Sequence, residues 1–318
     1  MTISQRQLPL FPEQRTSQEG GSVHDLHLGA DSLLSVTIEA FRDHMIEKGF
    51  TKNTIDSFLG DLSIFSRYLE DDVPVGQIST RKLNDFLTYL VHGRQAACTS
   101  KSYARRVTTL KVFFGWLAEV NVITRDIAAP VIHRPASSPL PTVLQDQQIT
   151  DMLDATRSLL RRAEKPDPRP HLLVTLVLTT GIKKGECMRI ALADVDLSDR
   201  AAPALYVRYD SPKRRYKDRK LRLPPDFPTT LALYRNEYKP QARLFECTPR
   251  NLEYVLKDVA QRAALPGALS FETLRMTCAV RDYRRGMDEV TLRRKLGLSK
   301  IAWRETLQKI RNLTADAI

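Results

Sequence analysis

The sequence has few of the features that mark a secreted, zinc-binding or membrane protein. Its 318 residues include 4 cysteines and no Cys-x-x-Cys pair, so we expect neither a zinc site nor a compact disulfide framework. The longest apolar run, Leu172 to Leu178, is far too short to cross a bilayer, which takes about 20 residues. We therefore expect a cytoplasmic protein with reduced cysteines, no bound metal and no membrane association.

Histidine and tyrosine are also missing from the later part of the chain. The 6 histidines all lie at or before His171, and the last tyrosine is Tyr283. Imidazole is the commonest general acid or base in enzymes, and tyrosine is one of the side chains that form covalent intermediates. The C-terminal region therefore lacks the histidine side chains suited to acid–base catalysis, and it has no tyrosine after Tyr283 for covalent catalysis.

What the chain has in excess is positive charge. The 49 Lys and Arg residues outnumber the 37 Asp and Glu residues, giving a formal net charge of +12 and a pI near 9.6. Such a balance favours a polyanionic partner, either nucleic acid or an anionic membrane surface. Since nothing else indicates a membrane role, we expect nucleic acid to be the partner.

The distribution of proline and of apolar periodicity predicts a chain of four parts. Residues 1–31 are polar and aperiodic, and we expect a flexible N-terminal arm. Residues 32–122 show four amphipathic helical stretches and predict one small helical domain. Residues 123–144, with four prolines, predict a linker, and residues 145–318 predict a second, C-terminal domain.

The fourth helical stretch carries a group of cations, predicted to lie off its apolar face. They are Lys101, Arg105, Arg106 and Lys111. Such a group either contacts phosphates or is an ordinary solvated face, and the helix alone leaves both interpretations open.

Residues 205–223 predict a β-hairpin with a basic turn. Leu205 and Val207 alternate before the turn, and Leu221 and Leu223 alternate after it. The segment between them carries cations at Lys213, Arg214, Arg215, Lys217, Arg219 and Lys220. The alternative is a solubilising charge cluster, but such clusters more often mix signs and few carboxylates are present here. We therefore favour a nucleic-acid contact that enters a groove or follows the backbone.

The order of elements and two motifs resemble the tyrosine recombinases, the family of the phage integrases. Thr180-Gly-Ile-Lys-Lys-Gly-Glu186 is similar to the first conserved box of that family. Leu274-Arg-Met-Thr-Cys-Ala-Val280, followed by Leu296-Gly297, is similar to the second. The resemblance implies a mainly α fold with a small β-hairpin or sheet (α+β). It comprises an N-terminal four-helix core-binding domain and a C-terminal tyrosine-recombinase-like catalytic-fold domain.

The resemblance also implies which positions carry the family's chemistry. Its members attack a DNA phosphate with a tyrosine, helped by two arginines, a hairpin lysine and two histidine-type residues, without metal or other cofactor. In this chain those positions fall on Lys183, Arg275, Lys217, Glu272, Leu298 and, for the nucleophile, Leu307. The hairpin lysine remains open between Lys213, Lys217 and Lys220, with Lys217 preferred. Lysine does not reproduce arginine's bidentate fork, and leucine transfers no proton.

We therefore expect a DNA-binding member of this fold that has lost strand cleavage. It would clamp duplex DNA with Lys183, Arg275 and the hairpin, as an accessory or partner subunit in recombination or as a regulator at such sites. Its further partners would be an active recombinase, or a second copy joined through the C-terminal helix. Two alternatives remain: an active recombinase using Tyr283 or a partner's nucleophile, and an RNA-binding or protein-interaction module.

Overall fold

A computed structural model describes residues 28–93, 98–132, 140–199 and 201–315. Most of the predicted N-terminal arm, and the middle of the predicted linker, lie outside these ranges. The chain divides into two compact units, with the boundary between Ser138 and Pro139.

The N-terminal unit contains four α-helices in its described residues. They are α1 (Leu34–Glu47), α2 (Lys52–Leu69), α3 (Thr80–His92) and α4 (Ser100–Glu119). Thr51, Ser79 and Thr99 each accept a hydrogen bond from a backbone N–H in the first turn of the helix that follows, so three of the four helices start at a capping side chain. Aromatic side chains fill the space between the helices, with Phe41, Phe65, Phe86, Phe113 and Phe114 almost fully buried.

A buried carboxylate joins α2 to α4 in this unit. Asp61 accepts hydrogen bonds from Arg105 at 2.9 and 2.7 Å and from the Thr109 hydroxyl at 3.1 Å. The Arg106 side chain, only 9% exposed, also lies 3.4 Å from Asp61 and donates to the Cys98 sulfur. The prediction that Arg106 lies off the apolar face is therefore wrong, because its guanidinium is buried against Asp61.

The other α4 cations are only partly available to solvent. Lys101 is exposed, and the Arg105 side chain is 47% exposed although it is paired with Asp61. Lys111 is half-buried and donates to the Ala129 carbonyl at 3.2 Å. Any contact between α4 and a polyanion therefore depends mainly on Lys101 and Arg105.

The chain after α4 folds back onto the helical unit. Val122, Ile123, Ala128 and Val131 are buried in its core, although the last three fall within the predicted linker. The Thr80 hydroxyl donates to the Ile127 carbonyl and ties this segment to α3.

The C-terminal unit contains eight α-helices and a three-stranded sheet in its described residues. The helices are α5 (Asp146–Leu160), α6 (Arg169–Thr180), α7 (Lys184–Cys187), α8 (Phe227–Tyr238), α9 (Pro249–Arg262), α10 (Phe271–Arg284), α11 (Glu289–Lys295) and α12 (Lys300–Ala315). Helix α6 is apolar on all sides and packs against α5, α8 and α10. A helix of this kind is a core helix, so the neighbouring elements are arranged around it.

The sheet is antiparallel in the order β1 (Val195–Asp196), β2 (Ala204–Val207) and β3 (Arg219–Arg222). The predicted hairpin corresponds to β2 and β3, with Leu205 opposite Leu221. A short 3₁₀ helix, Pro212–Lys217, carries most of the basic turn. The sequence did not predict β1, which has only two residues.

Helix α8 was also not predicted. Proline usually interrupts a helix, and three prolines lie near the start of α8. Pro224 and Pro225 precede the helix, and Pro228 lies within its first turn. Proline is tolerated there because the N–H it lacks would have no helical partner. In the described part of the chain, no helix combines the length and apolar character that a membrane span requires.

The contacts of Asp61 predict a large stability effect in the N-terminal unit. Asp61→Ala leaves Arg106 buried without its counter-charge, and we expect the free energy of unfolding to fall by about 3 kcal/mol. Urea unfolding followed by Trp116 fluorescence measures the change. The matched control is Asp56→Ala, which removes an exposed pair with Lys52 and should cost at most about 0.5 kcal/mol. Equal losses in the two variants would contradict the buried-pair argument.

Candidate functional site

The starts of α7 and α10 border a cavity of about 390 Å³ in the C-terminal unit. Its charged lining consists of Lys183, Lys184, Glu253, Glu272 and Arg275. Lys184 and Glu253 pair with each other at 2.7 Å across the cavity wall. Three positions that the family resemblance singled out, Lys183, Glu272 and Arg275, therefore lie around one cavity.

Lys183 is held at this cavity by the start of α7. It is half-buried, and its backbone N–H donates to the Glu186 carboxylate at 2.8 Å. Burial lowers the pKa of Lys183, and the charges of Arg275 and Lys217 lower it further. Lys217 is the half-buried residue preferred as the family's hairpin lysine, and that role stays a prediction.

Arg275 connects three segments of the C-terminal unit. It is 5% exposed on α10 and donates to the Gly181 carbonyl after α6 and, at 2.7 Å, to the Leu296 carbonyl after α11. Gly181 has a φ of 62°, and a side chain there would meet Leu296. These contacts give Arg275 a structural role that the sequence did not indicate, and its contact with DNA stays a prediction.

A second buried arginine, Arg219, attaches the hairpin to α7. Its side chain is 8% exposed and forms two hydrogen bonds with Glu186, at 3.0 and 2.9 Å. Its Nε donates to the Lys295 carbonyl at 2.7 Å. The prediction that Arg219 belongs to the open basic surface of the hairpin is therefore wrong.

Glu186 is the centre of this cluster. Burial alone would raise the pKa of Glu186, but the hydrogen bonds and charge of Arg219 lower it to about 2. The Tyr209 hydroxyl donates to the same carboxylate, and burial together with this bond raises the pKa of Tyr209 to about 12. The carboxylate is therefore charged at neutral pH, and the phenol is neutral.

The turn of the hairpin presents the uncompensated cations of the site. Lys213, Arg214 and Arg215 are exposed, and no carboxylate among the described residues forms a salt bridge with them or with Lys217. Lys220 differs from them, since it lies 3.5 Å from Asp196 and over the Tyr206 ring. The turn therefore carries exposed positive charge, and its half-buried Lys217 is among the charges that lower the pKa of Lys183.

The two remaining family positions lie in an apolar environment. Leu298 and Leu307 pack against a cluster of buried side chains from α10, α11 and α12. The cluster consists of Met276, Ala279, Val280, Leu292, Leu296, Trp303 and Ile310. The position implied for the nucleophile thus contributes to the packing of α12 onto its own unit.

Sequence reasoning missed Tyr209, Lys184, Glu253 and the buried state of Arg219. The strand periodicity contained a signal for Arg219, because residues 219, 221 and 223 share one face and Leu221 and Leu223 are buried. No sequence pattern pointed to Tyr209 or to the Lys184–Glu253 pair. The described residues bring together no group of three or more His, Cys, Asp or Glu side chains placed to hold a metal ion.

Comparisons with known proteins agree with this architecture. The family model for the phage integrase N-terminal SAM-like domain matches residues 38–120, which lie within the N-terminal unit. Tyrosine recombinase XerC of Mycobacterium sp. (strain JLS) is 27% identical over 164 residues, covering 51% of this chain and 55% of that protein. The chain therefore matches about half the length of this relative. XerC of Anoxybacillus flavithermus is 23% identical over 286 residues, covering 83% of this chain and 89% of that protein.

A solved structure shares the fold over most of the chain. XerH site-specific recombinase, bound to a palindromic difH substrate, matches with a TM-score of 0.67 and 16% sequence identity. The match covers 89% of this chain and 82% of XerH. The described elements, a helical unit followed by a helical unit with a small sheet, define the class of two-domain tyrosine recombinase folds, which confirms the predicted fold class. The chain is thus similar to the tyrosine recombinases in its N-terminal domain, in its sequence over most of its length and in its fold.

The contacts of Arg275 predict that it stabilises the C-terminal unit. Arg275→Ala leaves two buried carbonyl groups without a donor, at about 1–3 kcal/mol each. We expect the free energy of unfolding of this unit to fall by about 2–4 kcal/mol, measured by urea unfolding.

The control for Arg275→Ala is Arg284→Ala on the same helix. Arg284 is exposed and forms one 3.3 Å hydrogen bond, to the Leu313 carbonyl. Its removal should cost less than about 1 kcal/mol. If Arg275→Ala retained full stability and lost only affinity for DNA, the structural role would be wrong.

Proposed function

We propose that this protein binds duplex DNA through the C-terminal unit and does not cleave it. In this role it acts as an accessory or partner subunit in site-specific recombination, or as a regulator at recombination sites. The observation that carries the proposal is a contrast. The hairpin turn has exposed cations, but Glu272, Leu298 and Leu307 occupy positions where the family has catalytic side chains. The positive charge that binds a phosphate backbone is present, while the groups that would break that backbone are replaced.

The exposed cations support the binding half of the proposal. Lys213, Arg214 and Arg215 have no carboxylate partner in the described chain, so a phosphate backbone would not compete with an internal salt bridge. Binding would release counterions from the DNA, which makes the affinity strongly salt-dependent. XerH, which shares the fold, was solved bound to its DNA substrate.

The replaced residues support the loss of cleavage. Covalent phosphoryl transfer needs a nucleophile together with charge stabilisation of the transition state. Leu307 provides no nucleophile, and Leu298 is unable to donate a proton or a hydrogen bond. Glu272, exposed at the cavity, would repel the negatively charged phosphate. The remaining cation pair of Lys183 and Arg275 fits binding better than catalysis.

Other tyrosines of the C-terminal unit are poor substitutes for the missing nucleophile. Tyr283 lies eight residues beyond Arg275 on α10, which corresponds to about 12 Å along a helix, and it packs against the apolar cluster of α10, α11 and α12. Tyr209 is closer, but its hydroxyl is held by Glu186 and its pKa of about 12 disfavours the phenolate. Neither is a free phenol directed into the cavity.

Salt titration tests the binding half. Affinity for a short duplex of arbitrary sequence, measured by gel shift, should fall steeply as salt rises. Replacing Lys213, Arg214 and Arg215 together with alanine should lower the salt slope by roughly one unit for each phosphate that the protein no longer neutralises. An affinity that does not respond to salt would contradict the proposal.

The control for this triple variant removes the same charge elsewhere. Arg161, Arg162 and Lys165 are exposed residues between α5 and α6. Their replacement with alanine makes the same change in net charge and should leave most of the salt slope intact. Equal effects of the two triple variants would show that overall charge, and not the hairpin, drives binding.

A nicked substrate tests the loss of cleavage. Duplexes selected from a random pool by binding to this protein are nicked near their centre, so that any cleavage traps a covalent protein–DNA adduct. We expect no adduct on a denaturing gel, since the described site lacks a usable nucleophile. An adduct that is absent in Tyr283→Phe would instead identify an active enzyme with a non-standard nucleophile. An adduct that persists in that variant would also overturn the proposal.

A further inference from the structure

An aromatic side chain stands exposed at the tip of the basic hairpin. Tyr216, in the 3₁₀ helix between β2 and β3, is 64% exposed. The other exposed tyrosines, Tyr89 and Tyr254, are less so, at 38% and 55%. Tyr89 packs on the Tyr68 ring, and Tyr254 accepts a hydrogen bond from Arg250, whose guanidinium also lies over the Tyr254 ring. The ring contact found for Tyr216 is with a cation.

The cation is Lys217, and it lies among other positively charged side chains. The Lys217 ammonium lies 5.4 Å from the centre of the Tyr216 ring. Lys213, Arg214 and Arg215, on the same short helix, are exposed and without carboxylate partners among the described residues. A ligand that covers the ring must therefore also bring negative charge. Nucleic acid combines the two requirements, because each nucleotide has a phosphate and a flat aromatic base.

The base of the hairpin is anchored, so the ring is presented by a fixed turn. Asp218 accepts a hydrogen bond from the backbone N–H of Tyr209 at 2.9 Å, which closes the turn. Arg219, next in sequence, is held by Glu186 and by the Lys295 carbonyl. A turn that is already ordered loses less conformational entropy when it binds a ligand.

We propose that Tyr216 stacks on a nucleobase whose face is uncovered, while Lys213, Arg214 and Arg215 contact the neighbouring phosphates. In a regular duplex the faces of each base are covered by adjacent base pairs. The ring therefore stacks only where a base is unpaired or a step is opened. This inference rests on the proposed DNA binding and adds a preference for locally opened DNA.

A comparison of two probes tests the proposal with the full chain. One probe is a short duplex of arbitrary sequence, and the other is the same duplex with a single unpaired thymine. The wild-type protein should bind the second probe more tightly. Tyr216→Leu should lose about 5- to 150-fold in affinity for it, the range found when stacking on one base is removed. Tyr216→Phe keeps the ring and should retain the preference.

The salt dependence separates stacking from charge. Tyr216→Leu removes no charge, so its salt slope should equal that of the wild type, in contrast to the slope of the triple variant of Lys213, Arg214 and Arg215. Because Tyr216 is exposed, thermal unfolding should be unchanged in both of its variants. Equal affinity of wild type and Tyr216→Leu for the unpaired probe would overturn the inference.

Photo-crosslinking supplies a direct readout. With 5-iodouracil in place of the unpaired thymine, irradiation should link the base to Tyr216, and peptide mass spectrometry locates the adduct. An adduct on a different residue would contradict the stacking. If the wild type bound neither probe in a salt-dependent way, the proposed function itself would fail. If it bound both probes equally, only the stacking inference would fail.

Discussion

The ion pair between Glu186 and Arg219 is the interaction on which the candidate interface depends. It joins the short helix α7 to strand β3, and Arg219 continues the connection to the end of α11 through the Lys295 carbonyl. Tyr209 donates to the same carboxylate from the segment between β2 and the turn. Removing one partner of a buried ion pair leaves an uncompensated charge in the interior, so loss of either Glu186 or Arg219 would destabilise the cluster strongly. These contacts therefore anchor the two ends of the exposed turn.

In the same unit, residues at the family's catalytic positions contribute to the stability of the fold. Arg275 bonds to main-chain carbonyls of two other segments, and that function requires no substrate. Leu298 and Leu307 extend an apolar cluster, where a histidine or tyrosine would bring a polar group that needs a partner. The residues at these positions are therefore satisfied by hydrogen bonds and packing within the unit, and these contacts require no catalysis.

The sequence predicted the helices well, because their apolar periodicity and capping residues are local features. Thr51, Ser79 and Thr99, which are residues typical of helix starts, each cap a helix in the structure. It failed where a charged side chain is buried by a distant partner. Arg106 lies three residues after Tyr103 and four before Leu110, a spacing that places it on the buried face. Its charge suggested the opposite, since the carboxylate that neutralises it, Asp61, comes from another helix.

Counting cations therefore overstated the exposed positive charge, because some of the counted residues are buried; the DNA contact of the hairpin stays a prediction. Arg106 and Arg219 are paired with buried carboxylates, and their positive charge is used internally. The cations of the turn have no such partner among the described residues, and Lys217 is close enough to lower the pKa of Lys183. An anion at this place would relieve repulsion between like charges as well as gain attraction. Such a surface favours a polyanion over a neutral ligand, whether or not any bond in the polyanion is broken.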